Sequence, residues 1–158
     1  ITGMAGGTGA VLAELYDAAP ITSVVATTPR LINASVLKQL KAGEILTAGF
    51  VIDGIAPKQV LIRAVGPALG VAPFNISNVL PDPKINLFSG QAVIASNDNW
   101  GGGSVLTTAF STVGAFSLSA SSKDAALLTT LAPGSYTAQV TGAPNTSGIA
   151  LIEIYEVP

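Results

Sequence analysis

The 158-residue chain contains neither cysteine nor histidine. Without cysteine it can form no disulfide framework and no thiolate metal site. Without histidine it lacks the usual general base of serine hydrolases, and no Ser/Lys motif replaces that base. Its aspartates fall at predicted turns or strand ends, where an Asp side chain typically bonds its own backbone. We therefore expect a chain that is not an enzyme and that needs no organic cofactor.

Charged residues are also scarce. They make up only 10% of the chain, and the seven Lys and Arg residues are spread singly along it, whereas an average soluble domain carries about 25% charged residues. No basic stripe is present to neutralise the phosphates of nucleic acid or of anionic lipid. No apolar run approaches the roughly 18 residues of a membrane-spanning helix. We expect neither a nucleic-acid partner nor insertion into a membrane.

The sequence is instead rich in aliphatic residues: 49% of it is hydrophobic, but only 6% is aromatic. Folded monomers rarely expose large apolar patches, and such patches usually mark interfaces. A chain so poor in charge is therefore expected to cover part of its surface with other protein. The sequence starts at Ile1 without a basic and apolar leader, which fits a mature exported chain. The expected location is extracellular or on the cell surface.

Short apolar segments alternate with turn residues through most of the chain, which is the pattern of β-strands. The pattern predicts strands at residues 45–52, 59–65, 84–87, 92–96, 115–119, 125–131, 135–141 and 149–157. Regularly spaced short strands of this kind indicate an all-β fold, an antiparallel β-sandwich or jelly roll, here with an N-terminal extension strand.

The connections between these strands carry recognisable turn residues. The Asp-Gly pair at 53–54 and the Ser-Gly pair at 89–90 predict hairpins, and the Pro-Gly pair at 133–134 predicts a tight turn. One helical turn is expected at residues 35–41.

The end of the sequence repeats its beginning. Residues 9–17 match residues 148–156 without a gap, and the Thr-Gly pair at 2–3 matches the pair at 141–142 with the same offset. Four positions of the nine-residue match are identical, namely Gly9, Leu12, Glu14 and Tyr16 against Gly148, Leu151, Glu153 and Tyr155. Because the C-terminal copy has the composition of a strand, the N-terminal copy is predicted to be one too.

Several further motifs follow one another between residues 30 and 158. They are VLIRAVGPAL (60–69), DP (82–83), LF (87–88), NDNWG (97–101), AF (115–116), KDAAL (123–127) and PGSYTAQV (133–140). The ordered series resembles a domain that recurs in tandem in large secreted proteins of environmental bacteria. In a tandem array the last strand of one repeat leads into the next, so this resemblance implies that residues 1–17 correspond to the closing strand of a preceding unit.

The second half of the chain shows another likeness. Its ending, a turn followed by Tyr136 and an alternating strand, is similar to that of the bacterial pre-peptidase C-terminal domain. That resemblance implies a jelly-roll accessory module of a secreted enzyme.

Arg63 lies inside an apolar predicted strand. If its face of the strand is inward, the guanidinium needs a carboxylate, because an unpaired buried charge is costly. Alternation alone equally allows an outward arginine on an edge strand. We predict the buried arrangement, with one of the aspartates at 82, 98 and 124 as the partner.

The loop that follows the predicted strand at 92–96 offers two candidate sites. Asn97, Asp98 and Asn99 supply three oxygen-bearing side chains in a row, which is the chemistry that calcium prefers; the competing interpretation is a hydrogen-bonded loop. Trp100 either stacks on a sugar or packs as a lid over the core. Carbohydrate is therefore the candidate ligand of the alternative function.

These observations predict a donor or linker strand in residues 1–20 and a β-sandwich domain in residues 21–158. An apolar strand without a sheet of its own pairs readily with a free sheet edge. The residues expected to pair with a neighbouring copy of the chain are Ala10, Val11, Leu12, Ala13, Glu14, Leu15 and Tyr16, with Val11, Ala13 and Leu15 filling apolar pockets.

The expected function is that of a structural subunit of an extracellular filament or surface assembly. Three alternatives stay open. They are a fragment of a covalent tandem protein, a carbohydrate-binding or accessory module, and a monomer whose N-terminal strand folds back onto itself.

Overall fold

The computed structural model describes residues 9, 11–16 and 31–158. The chain divides into two units, residues 1–31 and residues 32–158. The domain boundary expected after residue 20 lies outside the described residues. All helices and strands of the described ranges belong to the second unit. In chain order they are β1 (Asn33–Leu40), β2 (Leu46–Ile52), β3 (Lys58–Val65), a 3-10 turn (Pro67–Gly70), β4 (Pro83–Ser89), β5 (Ala92–Asn97), α1 (Ser104–Val113), β6 (Ala125–Leu131), β7 (Gly134–Gly142) and β8 (Gly148–Val157).

Residues 32–158 form two four-stranded sheets, with strand orders β1-β8-β3-β6 and β2-β7-β4-β5. Every pair of neighbouring strands within the sheets is antiparallel. The predicted all-β sandwich is therefore confirmed. The chain passes repeatedly from one sheet to the other, so most of its strand pairs join segments that are distant in sequence.

Two of the elements predicted within residues 32–158 are wrong. Residues 35–41, expected as a helical turn, lie almost entirely in β1, which pairs along its whole length with β8. Pairing with β8 overrides the helix propensity of the Leu, Lys and Gln residues in this segment. Residues 115–119, expected as a strand, form no strand and instead follow α1.

Helix α1 itself was not predicted. Its sequence, SVLTTAFSTV, is rich in Val and Thr, which lose rotamer freedom in a helix and so favour a strand reading. A helical signal is nevertheless present, because Leu106, Ala109, Phe110 and Val113 follow the i, i+3, i+4, i+7 spacing of a buried helix face. Ala109 and Phe110 belong to one buried apolar cluster, and Leu106 and Val113 pack against it. Gly114, with a φ of 71°, ends the helix in the left-handed conformation.

The predicted turns differ in what they connect. The Ser-Gly pair at 89–90 lies between β4 and β5, which are hydrogen-bonded neighbours, so this hairpin is confirmed. The Asp-Gly pair at 53–54 does not form a hairpin, because β2 and β3 belong to different sheets. The Pro-Gly pair at 133–134 likewise leads from one sheet to the other, from β6 to β7.

Strand β3 is buried on both faces, which explains its nearly continuous apolar sequence. Val60, Ile62 and Ala64 belong to the cluster between the two sheets. Leu61 and Val65, on the opposite face, belong to the cluster that contains α1. Arg63 has the same parity as this second pair and therefore lies on the side of the helix.

Candidate functional site

Strand β8 occupies the middle of the first sheet, with β1 on one side and β3 on the other. Ala150, Ile152 and Ile154 belong to the cluster between the sheets. Leu151 and Tyr155 pack in the cluster on the side of α1. This strand is the C-terminal copy of the sequence repeat. Its surroundings therefore show the kind of environment that suits the repeated sequence.

Glu153 of β8 lies directly opposite Arg63 of β3 in the strand register. The Arg63 Nε atom is 2.9 Å from Glu153 Oε2, and both side chains are buried. The structure thus pairs Arg63 with a carboxylate. The partner is not one of the aspartates named from the sequence, because strand pairing brings a residue 90 positions away in sequence to face the guanidinium.

The three aspartates have other roles. Asp124 is fully buried and accepts hydrogen bonds from the backbone N–H groups of Gly66 and Ala68, which fixes the turn after β3. Asp82 pairs with Lys123 at 2.6 Å. Asp98 is exposed in its loop. The prediction that one of them pairs with Arg63 is therefore wrong.

Two aromatic rings complete the surroundings of Arg63. The centre of its guanidinium lies 4.8 Å from the ring of Phe110 in α1 and 4.2 Å from the ring of Phe116, at distances typical of cation–π contacts. Arg63 Nη1 donates to the carbonyl oxygen of Phe116. Burial lowers the pKa of Arg63, and the nearby Glu153 carboxylate opposes that effect. The guanidinium still carries its charge at neutral pH, because arginine is not deprotonated in proteins.

Tyr155 adds a hydrogen bond to the same carboxylate. Its hydroxyl donates to Glu153 Oε1 at 2.7 Å. Burial, followed by this hydrogen bond, raises the pKa of Tyr155 to about 12. The two oxygens of Glu153 therefore face different partners, one Arg63 and the other Tyr155.

The N-terminal copy of the repeat contains the same local hydrogen bond. The Tyr16 hydroxyl donates to Glu14 Oε1 at 3.0 Å, as Tyr155 does to Glu153. Residues two apart share a face of an extended chain, so the two copies share this contact as well as their sequence. Ala10, also named as an interface residue, lies outside the described residues.

The two copies differ in their surroundings. Residues 11–16 form neither helix nor strand. Val11, Leu12, Leu15 and Tyr16 are 68–81% exposed, whereas Ala150, Ile152 and Ile154 of β8 are at most 8% exposed. The N-terminal copy therefore presents to solvent the kind of side chains that the C-terminal copy buries.

The loop at 97–99 is held by its own hydrogen bonds. Asn97 Oδ1 accepts from the backbone N–H of Ala126, and Asn97 Nδ2 donates to the carbonyl oxygen of Asn99. One of the three proposed calcium ligands is thus already engaged with the protein. In the described ranges no cluster of three or more His, Cys, Asp or Glu side chains could hold a metal ion. The calcium site at Asn97, Asp98 and Asn99 stays a prediction.

Trp100 is a packed core residue. It is 6% exposed, its ring centroid lies 5.3 Å from that of Phe110, and its indole N–H donates to the carbonyl oxygen of Ser119. A sugar cannot stack on a ring that is covered in this way. Another candidate site for a small ligand is an open cavity of about 350 Å³ that is lined by Phe74, Phe116 and several serines.

Comparison with solved structures finds a likeness to a bacterial domain. The pre-peptidase C-terminal domain of a collagenase from Bacillus anthracis superposes with a TM-score of 0.47 and 13% sequence identity, over 78% of this chain and 89% of that one. This is the kind of domain that the ending of the sequence resembles. The likeness to tandem repeats stays a prediction.

No family model and no curated protein matches the sequence. None of the helices in the described ranges has the length and hydrophobicity of a membrane-spanning segment.

Proposed function

We propose that this chain is a non-catalytic structural subunit of an extracellular filament or surface assembly. Each subunit donates its N-terminal segment, residues 9–16, as a β-strand to a neighbouring copy. Backbone hydrogen bonds supply the general affinity in this kind of strand addition, and alternate side chains supply the specificity.

One observation carries the proposal. The segment repeats the sequence of β8, whose residues are all buried or half-buried, while its own Val11, Leu12, Leu15 and Tyr16 are exposed. Exposed apolar side chains favour association. The shared hydrogen bond between glutamate and tyrosine supports a strand conformation for the segment.

The repeat also assigns the two faces of the donated strand. Val11, Ala13 and Leu15 correspond to Ala150, Ile152 and Ile154, which pack between the sheets. Leu12, Glu14 and Tyr16 correspond to the face of β8 that points towards α1. The first set therefore fills the apolar side of the acceptor. Donation from one subunit to the next is a head-to-tail contact, which gives an open filament unless the rotation closes a ring.

The decisive experiment is deletion of residues 1–17. The full chain is expected to form polymers visible by negative-stain electron microscopy and by sedimentation. The deleted chain is expected to remain monomeric with an unchanged circular dichroism signature of the sandwich. A deleted chain that polymerises like the full one would overturn the proposal.

The alternative is a carbohydrate-binding accessory module. It is favoured by the cavity beside Phe74 and Phe116, where apolar rings and serine hydroxyls face the same space, a combination that suits a small ligand. Glycan-array binding by the deleted monomer, lost on Phe74→Ala, would support this alternative over a purely structural role.

A further inference from the structure

We propose that the acceptor of the donated strand is the outer edge of β1 in a second copy of the chain. The inference rests on the proposed function and names the partner surface that strand donation requires. Among the described residues, β1 is the outermost strand of its sheet and has only β8 as a neighbour. Seven of its eight residues are exposed.

The register identifies the backbone groups that point away from β8 at this edge. The Glu156 N–H donates to the carbonyl oxygen of Ile32, so residues 32 and 156 form a hydrogen-bonded pair. The pairing of β1 with β8 continues from there without a shift. Hydrogen-bonded and non-hydrogen-bonded pairs alternate in an antiparallel ladder. The even-numbered residues of β1 therefore bond to β8, and the N–H and C=O groups of Ser35 and Leu37 point away from it.

Strand β1 exposes one large apolar side chain on each face of the sheet, Val36 on one and Leu37 on the other. Val36 lies opposite Ile152, so both point between the sheets. Ile152 is 1% exposed, but Val36 is 46% exposed. The core between the sheets is thus uncovered at β1, where the donor residues Val11, Ala13 and Leu15 would extend it.

The other face of β1 also has an apolar side chain that the sheet does not cover. Leu37 lies opposite Leu151, a partly buried member of the cluster on the side of α1, and is itself 52% exposed. Leu12 and Tyr16 of the donated strand correspond to residues of β8 that belong to that cluster or pack against it. A strand added here would cover both faces of β1 at once.

The repeat explains why β1 suits this donor. β1 is one of the two strands with which β8 pairs, and the donated segment copies β8. A donated strand cannot take the position of β8 between β1 and β3, because β8 of the same subunit already occupies it. There β8 pairs with both strands and holds Glu153 against Arg63. The outer side of β1 can therefore pair with the donated segment while β8 keeps its own position.

The other outer strands suit the donor less well. β6 has six of seven residues buried or half-buried. β5 spans six residues and its pairing with β4 contains a bulge between Leu87 and Phe88, a feature that protects sheet edges from further pairing. In β2 the exposed residues alternate with half-buried or buried ones, so only one of its faces is open.

Proline substitution tests the acceptor edge directly. Ser35→Pro removes an N–H group that points away from β8, so the sheet is expected to keep its own ladder. Polymer formation is expected to fall at least tenfold in pelleted mass, whereas the matched variant Ser35→Ala, which retains the N–H, polymerises like the unchanged chain. Leu37→Pro serves as a second test if Ser35→Pro lowers the thermal midpoint.

Cross-linking provides an independent test, because the chain contains no cysteine of its own. Each double variant carries one cysteine in the donated strand, at Val11, Ala13 or Leu15, and a second cysteine at Val36 of β1. The matched controls carry the second cysteine at Val93 of β5. Disulfide-linked ladders on non-reducing gels are expected from at least one pair with Val36 and from none with Val93.

The outcomes separate the inference from the proposed function. If deletion of residues 1–17 abolishes polymers but the proline variants polymerise normally, or if the ladders form through β5, strand donation stands and the β1 edge is overturned as its acceptor. If the deleted chain still polymerises, the proposed function itself fails.

Discussion

Glutamate occupies equivalent positions in the two copies of the repeat, but only one of the two is buried. Glu153 is 6% exposed and faces Arg63, whereas Glu14 is exposed. The sequence alone indicated that Arg63 needs a carboxylate, because it interrupts an apolar strand. It could not identify Glu153, because the partner is set by the register between β3 and β8. The repeat, which marks Glu153 as an identical position, was the available signal.

Glu153→Gln should destabilise the sandwich. The substitution leaves the Arg63 charge buried without a counter-charge, and breaking a buried pair in this way costs about 3 kcal/mol or more. Urea denaturation monitored by circular dichroism measures the free energy of unfolding. Glu14→Gln is the matched control and is expected to leave that free energy unchanged and to weaken assembly little. Equal destabilisation by the two variants would contradict the assignment of Arg63 to Glu153.

Tyr155 makes a pH dependence testable. Its pKa in the folded chain is raised to about 12 from the ordinary value of 10.0. The unfolded chain therefore loses this proton first, and stability is expected to fall as the pH rises from about 10 towards about 12. The measurement is the urea midpoint between these pH values. Tyr155→Phe should show a shallower decline than the unchanged chain.

At the scale of the elements, alternation and turn residues located seven of the eight strands. The errors occurred where tertiary contacts override local preference. β1 was misread because its pairing with β8 is invisible locally, and α1 was missed because its Val and Thr content favours a strand. The assignment of strands to sheets was also beyond reach, since the Asp-Gly and Pro-Gly turns connect different sheets rather than neighbouring strands.

The prediction for an element concerns the donated strand, residues 9–16. Leu15→Asp should reduce assembly strongly, because it places an unpaired charge on the face that corresponds to the buried Ile154. Sedimentation of polymers measures the effect, and Glu14→Gln again serves as the control. The monomeric sandwich should keep its thermal midpoint. Normal polymers from Leu15→Asp would argue that this face of the segment does not enter an apolar site.

At the scale of the whole molecule, the proposed assembly accounts for both the scarcity of charged residues and the exposed apolar edge. The sandwich buries two apolar clusters, yet leaves Val36 and Leu37 uncovered on β1. Natural sheets usually protect an outer strand with charges, bulges or proline, and β1 carries a single lysine. In the proposed assembly the next subunit covers this edge. The low charge of the chain then corresponds to a surface that is covered by protein in the polymer.

The pair of Arg63 and Glu153 also affects how the strands of the first sheet find their register. β8 reads GIALIEIYEV, with apolar residues on both faces, so hydrophobicity alone tolerates sliding of this central strand. A slip of one residue would turn the carboxylate into the space between the sheets, and a slip of two would leave the guanidinium alone in the interior. Both errors are costly. A single buried pair thus favours one register of β8 against β3.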